Sequence, residues 1–90
     1  MNTTAKWRYS GSFVGAKIED SFVILDVDSA YYYAFNVSAS DIWDLLATPR
    51  TCRDVADLLV QKYEVAPEEC LRSVEGVVAE LSAKGLVSPA

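Results

Sequence analysis

The side chains that could do covalent or acid–base chemistry are few in this 90-residue chain, and their spacing argues against such a role. Histidine is absent, which removes Ser-His and Cys-His nucleophilic systems and the commonest transition-metal ligand together. Cys52 and Cys70 have no CxxC spacing and cannot by themselves form a four-ligand zinc site; they read as small, semi-buried residues of a reducing compartment. The acidic pairs Asp41/Asp44, Asp54/Asp57 and Glu68/Glu69 fall in the first turns of helical segments. There the helix dipole favours a negative charge by about 0.3–1 kcal/mol, so these pairs read as structural rather than as acid–base partners. The four glycines are dispersed and form no phosphate loop. The expectation is a protein that is not an enzyme and uses no metal and no cofactor.

The unusual chemistry lies in the run Asp26 to Phe35, which ends in Tyr31, Tyr32, Tyr33, Ala34 and Phe35. Side chains alternate along a strand, so three consecutive tyrosines put aromatic surface on both faces. Tyr33 and Phe35 share the face expected to look at a core, and Tyr32 and Ala34 share the other. Such a strand at a sheet edge carries none of the Lys or Pro that blunt an edge. An extended peptide would satisfy its free N–H and C=O groups while side-chain pockets supply selectivity.

The elements that must position this strand follow from periodicity. Phe13–Ile18 reads as a strand, Glu19-Asp20-Ser21 as a turn, and Phe22–Val27 as a covered central strand. Asp28-Ser29-Ala30 is the next turn and Tyr31–Phe35 the return strand, giving a three-stranded antiparallel meander. The period then changes to 3.6. Asn36 or Ser38 caps a helix with Ile42, Trp43, Leu45 and Leu46 on its apolar face, ended by Thr48-Pro49-Arg50. Thr51 and Asp54 resemble a capping box for a second helix, with Val55, Leu58, Leu59 and Tyr63 as its buried stripe. Pro67 opens a third helix, and Gly85 caps it before Leu86 and Val87 close over the core. The three helices run to about 10, 12 and 17 residues. The third has two apolar rows, one for the core and one, through Cys70, Val74, Val77 and Leu81, available as a groove wall. Strands followed by helices give an α+β fold, winged helix-turn-helix-like, with a three-stranded antiparallel sheet followed by three helices. Residues 1–12 read as a flexible N-terminal arm, in which the alternating Trp7 and Tyr9 are the pair that would pin it as a short extra strand. Residues 13–88 read as a single domain.

A net charge of −5, with eight scattered basic residues, argues against a nucleic-acid partner, which draws on clustered Lys and Arg. The third helix offers only Arg72 to a DNA-binding winged helix, the reading suggested by the helix pair around Thr48–Asp54. A subunit that uses the same edge to pair with itself is a further alternative. No apolar run is long enough to span a bilayer and the N-terminus has no signal-peptide pattern, so the expected location is cytoplasmic with no membrane partner.

The ordered series Val23 to Asn36, then Ile42-Trp43 with Leu45 and Leu46, then Pro49-Arg50-Thr51, Val55, Leu59, Tyr63, Val65, Pro67, Leu81 and Gly85-Leu86-Val87, resembles the PqqD-type peptide chaperones. These are also called RiPP recognition elements, after the ribosomally made and post-translationally modified peptides they serve. The resemblance covers residues 13–87. It implies a winged-helix-like domain that binds the leader segment of a precursor peptide as a strand added to the third strand, in a cleft closed by the third helix. Carried over, it assigns leader binding to Tyr31, Tyr32, Tyr33, Ala34 and Phe35, and to Cys70, Val74, Val77 and Leu81. Among the members, the chain is most similar to the stand-alone leader-binding protein of lasso-peptide biosynthesis. That likeness implies delivery of the leader to a separate leader peptidase and cyclase. The alternative is a chaperone of pyrroloquinoline quinone biosynthesis that serves a radical SAM enzyme.

Overall fold

Three runs rich in β-branched and aromatic residues, cut by two short acidic turns, fold residues 13–36 into a meander in the computed structural model, which describes residues 5–90. In chain order the elements are β1 (Lys6–Tyr9), β2 (Phe13–Ile18), β3 (Ser21–Asp26), β4 (Tyr32–Asn36), α1 (Ala39–Leu45), β5 (Arg50–Thr51), α2 (Cys52–Lys62), α3 (Pro67–Ala83) and β6 (Val87–Pro89). The expected α+β fold is present, with the antiparallel sheet β2-β3-β4 followed by three helices.

Register sorts the meander into two faces. Phe22 pairs with Phe35 and Ile24 with Tyr33, and this face looks at the helices, with Phe22 and Ile24 fully buried. Gly15 of β2 lies on the same face opposite Ile24. A side chain there would sit 2.7 Å from the Phe22 ring and 3.3 Å from Trp43 Nε1, so only glycine lets β2 approach α1 this closely. The β3–β4 turn is tied by Asp26 rather than by Asp28. Its Oδ1 accepts from the Asp28 N–H at 3.0 Å, and Ala30 takes the left-handed conformation at φ 63°.

The helix ends obey the local chemistry of their residues. Thr51 Oγ1 accepts from the Asp54 N–H at 3.0 Å and Asp54 Oδ2 from the Thr51 N–H at 3.2 Å, a complete capping box for α2. Pro67 occupies the first turn of α3, whose far end closes with the Leu86 N–H donating to the Leu81 carbonyl at 2.9 Å around Gly85 at φ 74°. Helix α1 has seven residues rather than about ten, and Ser38 stands at its N-terminus without a side-chain cap. Arg50 Nε donates to the Leu45 carbonyl at 2.8 Å and caps its other end.

A second antiparallel sheet, β5-β1-β6, was not expected as a sheet. Of the arm expected over residues 1–12, residues 1–4 lie outside the described residues. Residues Lys6–Tyr9 instead form the central strand of this sheet, pairing Trp7 with Arg50 on one side and Pro89 on the other. Trp7 is buried in the core beside the helices. Its burial outweighs the tendency of a terminal segment to fray, because an indole is among the largest apolar side chains available. Cutting Trp7 to Ala should lower the unfolding free energy by about 3–5 kcal/mol, read from the urea midpoint. A loss under about 1 kcal/mol would mean that β1 is dispensable to the core.

Candidate functional site

β4 pairs with β3 alone, so its other side is a free sheet edge among the described residues. Which of its backbone groups face outward follows from one bond. The Asp26 N–H donates to the Tyr31 carbonyl at 2.8 Å, and hydrogen-bonded pairs alternate along an antiparallel ladder. Tyr33 and Phe35, opposite Ile24 and Phe22, therefore spend their N–H and C=O groups on β3. Tyr32 and Ala34 turn theirs to the open edge. Both are exposed, Tyr32 at 70 %, while Tyr33 and Phe35 are half-buried against the core.

Immediately after β4 the chain enters the wall of a groove of about 640 Å³. One wall is α3, through Cys70, Ser73, Val74 and Val77; the other is Val37, Ser38 and the start of α1, with Tyr63 and Val65 at one end. Its surface is mainly apolar, of a size that ordinarily holds a ligand's buried portion. Burial pushes the Cys70 thiol pKa up, so at neutral pH it presents a small apolar group to the groove.

Charge gathers at one side of the groove. Tyr63 donates its hydroxyl to Asp41 Oδ2 at 2.6 Å, and Lys62 Nζ lies 3.4 Å from Oδ1. The bond from Tyr63, with Lys62 and Lys17 adding, outweighs desolvation and holds the Asp41 carboxyl below the usual aspartate range. This clasp joins the first turn of α1 to the end of α2. No group of His, Cys, Asp and Glu among the described residues is placed to hold a metal. The 17 residues of α3 carry Glu68, Glu69, Glu75 and Glu80 against Arg72 alone, a helix that would repel phosphates rather than read bases.

The structure brings Cys70, Val74 and Val77 together in the groove, but Leu81 is 1 % exposed and faces the core. None of Tyr31, Tyr32, Tyr33, Ala34 and Phe35 lines the groove; the last four form the strand that leads into it. Tyr31 lies just before β4 and is 70 % exposed. The wall opposite α3 escapes the sequence. Asp41 reads there as a helix-dipole charge, and Tyr63 as part of the buried stripe of α2, whereas it is 44 % exposed with its hydroxyl on Asp41. The one local signal was that Tyr63 and Val65 stand in the short inter-helix loop between α2 and α3.

The family model described as coenzyme PQQ synthesis protein D (PqqD) matches residues 21–87. Two solved structures resemble the chain over nearly its whole length. A structure of lasso peptide synthetase B1 complexed with the leader peptide shares 28 % identity with a TM-score of 0.74, covering 94 % of this chain and 100 % of that one. TbiB1 in complex with the TbiA(beta) leader peptide shares 25 % identity with a TM-score of 0.73, covering 90 % of this chain and 94 % of the other. No curated protein matches the chain.

The clasp has a pH signature. Because the folded pKa of Asp41 is lowered, its contribution to stability is complete above the unfolded value and is lost as pH falls through the folded value. A carbon-detected NMR titration should therefore give Asp41 a midpoint below 3.8, returning toward that value in Tyr63→Phe. An unchanged midpoint in Tyr63→Phe would show that the hydroxyl does not hold the carboxylate.

Proposed function

Because the chain belongs to the PqqD family, whose model matches its residues 21–87, we propose that it binds the leader segment of a ribosomally synthesised precursor peptide in lasso-peptide maturation. The leader adds as a strand to β4. The observation that carries this reading is the pair of unspent outward backbone positions, Tyr32 and Ala34, on a free edge that runs into an apolar groove. Each main-chain bond to a guest contributes a modest net stabilisation, of about 0.5–1.5 kcal/mol. Affinity therefore draws on main-chain pairing and selectivity on the groove.

Within this reading the strand residues Tyr31, Tyr32, Tyr33, Ala34 and Phe35 carry the guest, with Tyr33 and Phe35 anchoring β4 from behind. Cys70, Val74 and Val77 receive its apolar side chains, and Leu81 supports that wall from the core. The protein has no catalysis of its own. It acts in the cytoplasm, as one domain, and hands the bound leader to a separate leader peptidase and cyclase. The likeness to two leader-bound B1 structures over at least 90 % of this chain favours that pathway. The description of the matching family favours a second reading, a chaperone of pyrroloquinoline quinone biosynthesis serving a radical SAM enzyme. A precursor gene beside a cyclase, or beside a radical enzyme, separates the two.

Proline at an edge position whose N–H points outward leaves the ladder intact. Ala34→Pro should thus keep the circular dichroism and urea midpoint close to wild type. It should weaken binding of a fluorescein-labelled leader, encoded beside the gene, at least tenfold from a Kd of about 1 μM or tighter, by fluorescence polarisation. Tyr33→Pro, which removes a bond to β3, should unfold the meander. Equal leader affinity in wild type and Ala34→Pro would rule out strand addition at β4.

A further inference from the structure

The face of the meander turned away from the helices departs from what an antiparallel sheet shows to water. One face of such a sheet is ordinarily apolar and the solvated one polar. Here the outward residues of all three strands are uncharged. Val14, Leu25 and Tyr32 make one cross-strand row, and Ala16, Val23 and Ala34 the next. Ile18 closes the third row with Ser21 and Asn36. Val14 is 55 % exposed, Ile18 56 % and Leu25 40 %, so the larger aliphatic side chains stand in water. A patch of this kind, continuous across three strands, marks an interaction surface rather than chance.

Its relief and its charge describe the occupant. The middle row is low, because Ala16 and Ala34 flank Val23. It forms a shallow trough that crosses the strands between the ridge of Val14, Leu25 and Tyr32 and the side chain of Ile18. Carboxylates stand beyond both sides of the trough, Glu19 and Asp20 in one turn and Asp28 in the other. The strands of six residues are about 20 Å long, and a helix with its side chains is about 10–12 Å across. A helix lying in the trough therefore reaches the acidic turns with the flanks of its apolar stripe. A second copy of this chain would bring the same carboxylates against one another at a net charge of −5 per molecule, which disfavours it as the occupant.

We propose that the outer face of β2-β3-β4 docks an amphipathic helix of a partner protein, one whose apolar stripe is flanked on both sides by lysine or arginine. This surface is distinct from the groove and meets the β4 edge only through the side chains of Tyr32 and Ala34, while Val14, Ile18 and Leu25 lie on the other two strands. A strand added to β4 would widen the same floor from three strands to four, so one partner helix would touch both the domain and its guest.

The test uses a synthetic helical peptide of about 14 residues, about 21 Å long, with a leucine stripe flanked by lysines, and a scrambled peptide of the same composition. Binding is read by fluorescence anisotropy against the full chain. The striped peptide should bind wild type and lose at least tenfold in Val14→Ser/Leu25→Ser. It should weaken several-fold in Asp20→Lys/Asp28→Lys, with a smaller salt dependence. Leader binding by Val14→Ser/Leu25→Ser should match wild type, which keeps this outcome separate from that of strand addition. No binding of the striped peptide by wild type overturns the proposal, as does equal binding of the scrambled peptide or of the serine variant. A light-scattering mass of twice 9.9 kDa that returns to the monomer in the serine variant overturns it too, in favour of self-association.

Discussion

The position of everything in this domain traces back to Trp43. Its indole is buried in α1 at 4 % exposure. Tyr9 of β1 stacks on it at 4.0 Å between ring centroids, and Phe13 of β2 meets it edge-on at 5.7 Å. Tyr9 also donates its hydroxyl to the Trp43 carbonyl at 2.6 Å, and burial, with the charge of Asp44, pushes its pKa up to about 12. One side chain thus joins the first strands of both sheets to the first helix. Such aromatic pairs contribute about 0.5–1.5 kcal/mol beyond the area they bury, but their larger effect here is geometric. By clamping the meander at β2, the stack leaves β4 at the far side of the sheet, paired with β3 on one side and with no strand on the other among the described residues.

The meander, the three helices, the capping box of α2, Pro67 and Gly85 were all legible, because each rests on a local rule of alternation, helical period or cap chemistry. The β5-β1-β6 sheet was not. Strands of two and three residues carry no periodic signal, and Arg50, Thr51 and Val87 read instead as a helix stop, a cap and a closure. The alternating Trp7 and Tyr9 gave the only hint, and the partners of Trp7, Arg50 and Pro89, lie far along the chain. Within the candidate site the same division holds. The edge strand and the Cys70, Val74 and Val77 row follow from pattern, while Leu81 belongs to the core because the turn around Gly85 folds Leu86 back beside it. The opposing wall depends on Asp41 and Tyr63 meeting across 22 positions, a contact that no local period encodes.

The small sheet is asked to do two things that usually conflict. It must be anchored firmly enough to hold its shape, yet keep an edge and a face open to water. The inner face resolves this through Phe22 and Ile24, which are fully buried and carry Phe35 and Tyr33 as cross-strand partners. The anchoring is thus borne by alternate residues only. The intervening ones are free of structural duty.

With a guest strand added to β4 as proposed, that alternation would make the edge a ruler. A guest strand can sit on Tyr32 and Ala34 only in steps of two residues, about 6.8 Å, since a slip of one residue exchanges the two faces of the guest. Any apolar residue that seats in the groove therefore fixes, in whole steps, how far the rest of the guest projects past Asn36. On the proposed reading, the domain would convert a position in a guest's sequence into a length in space.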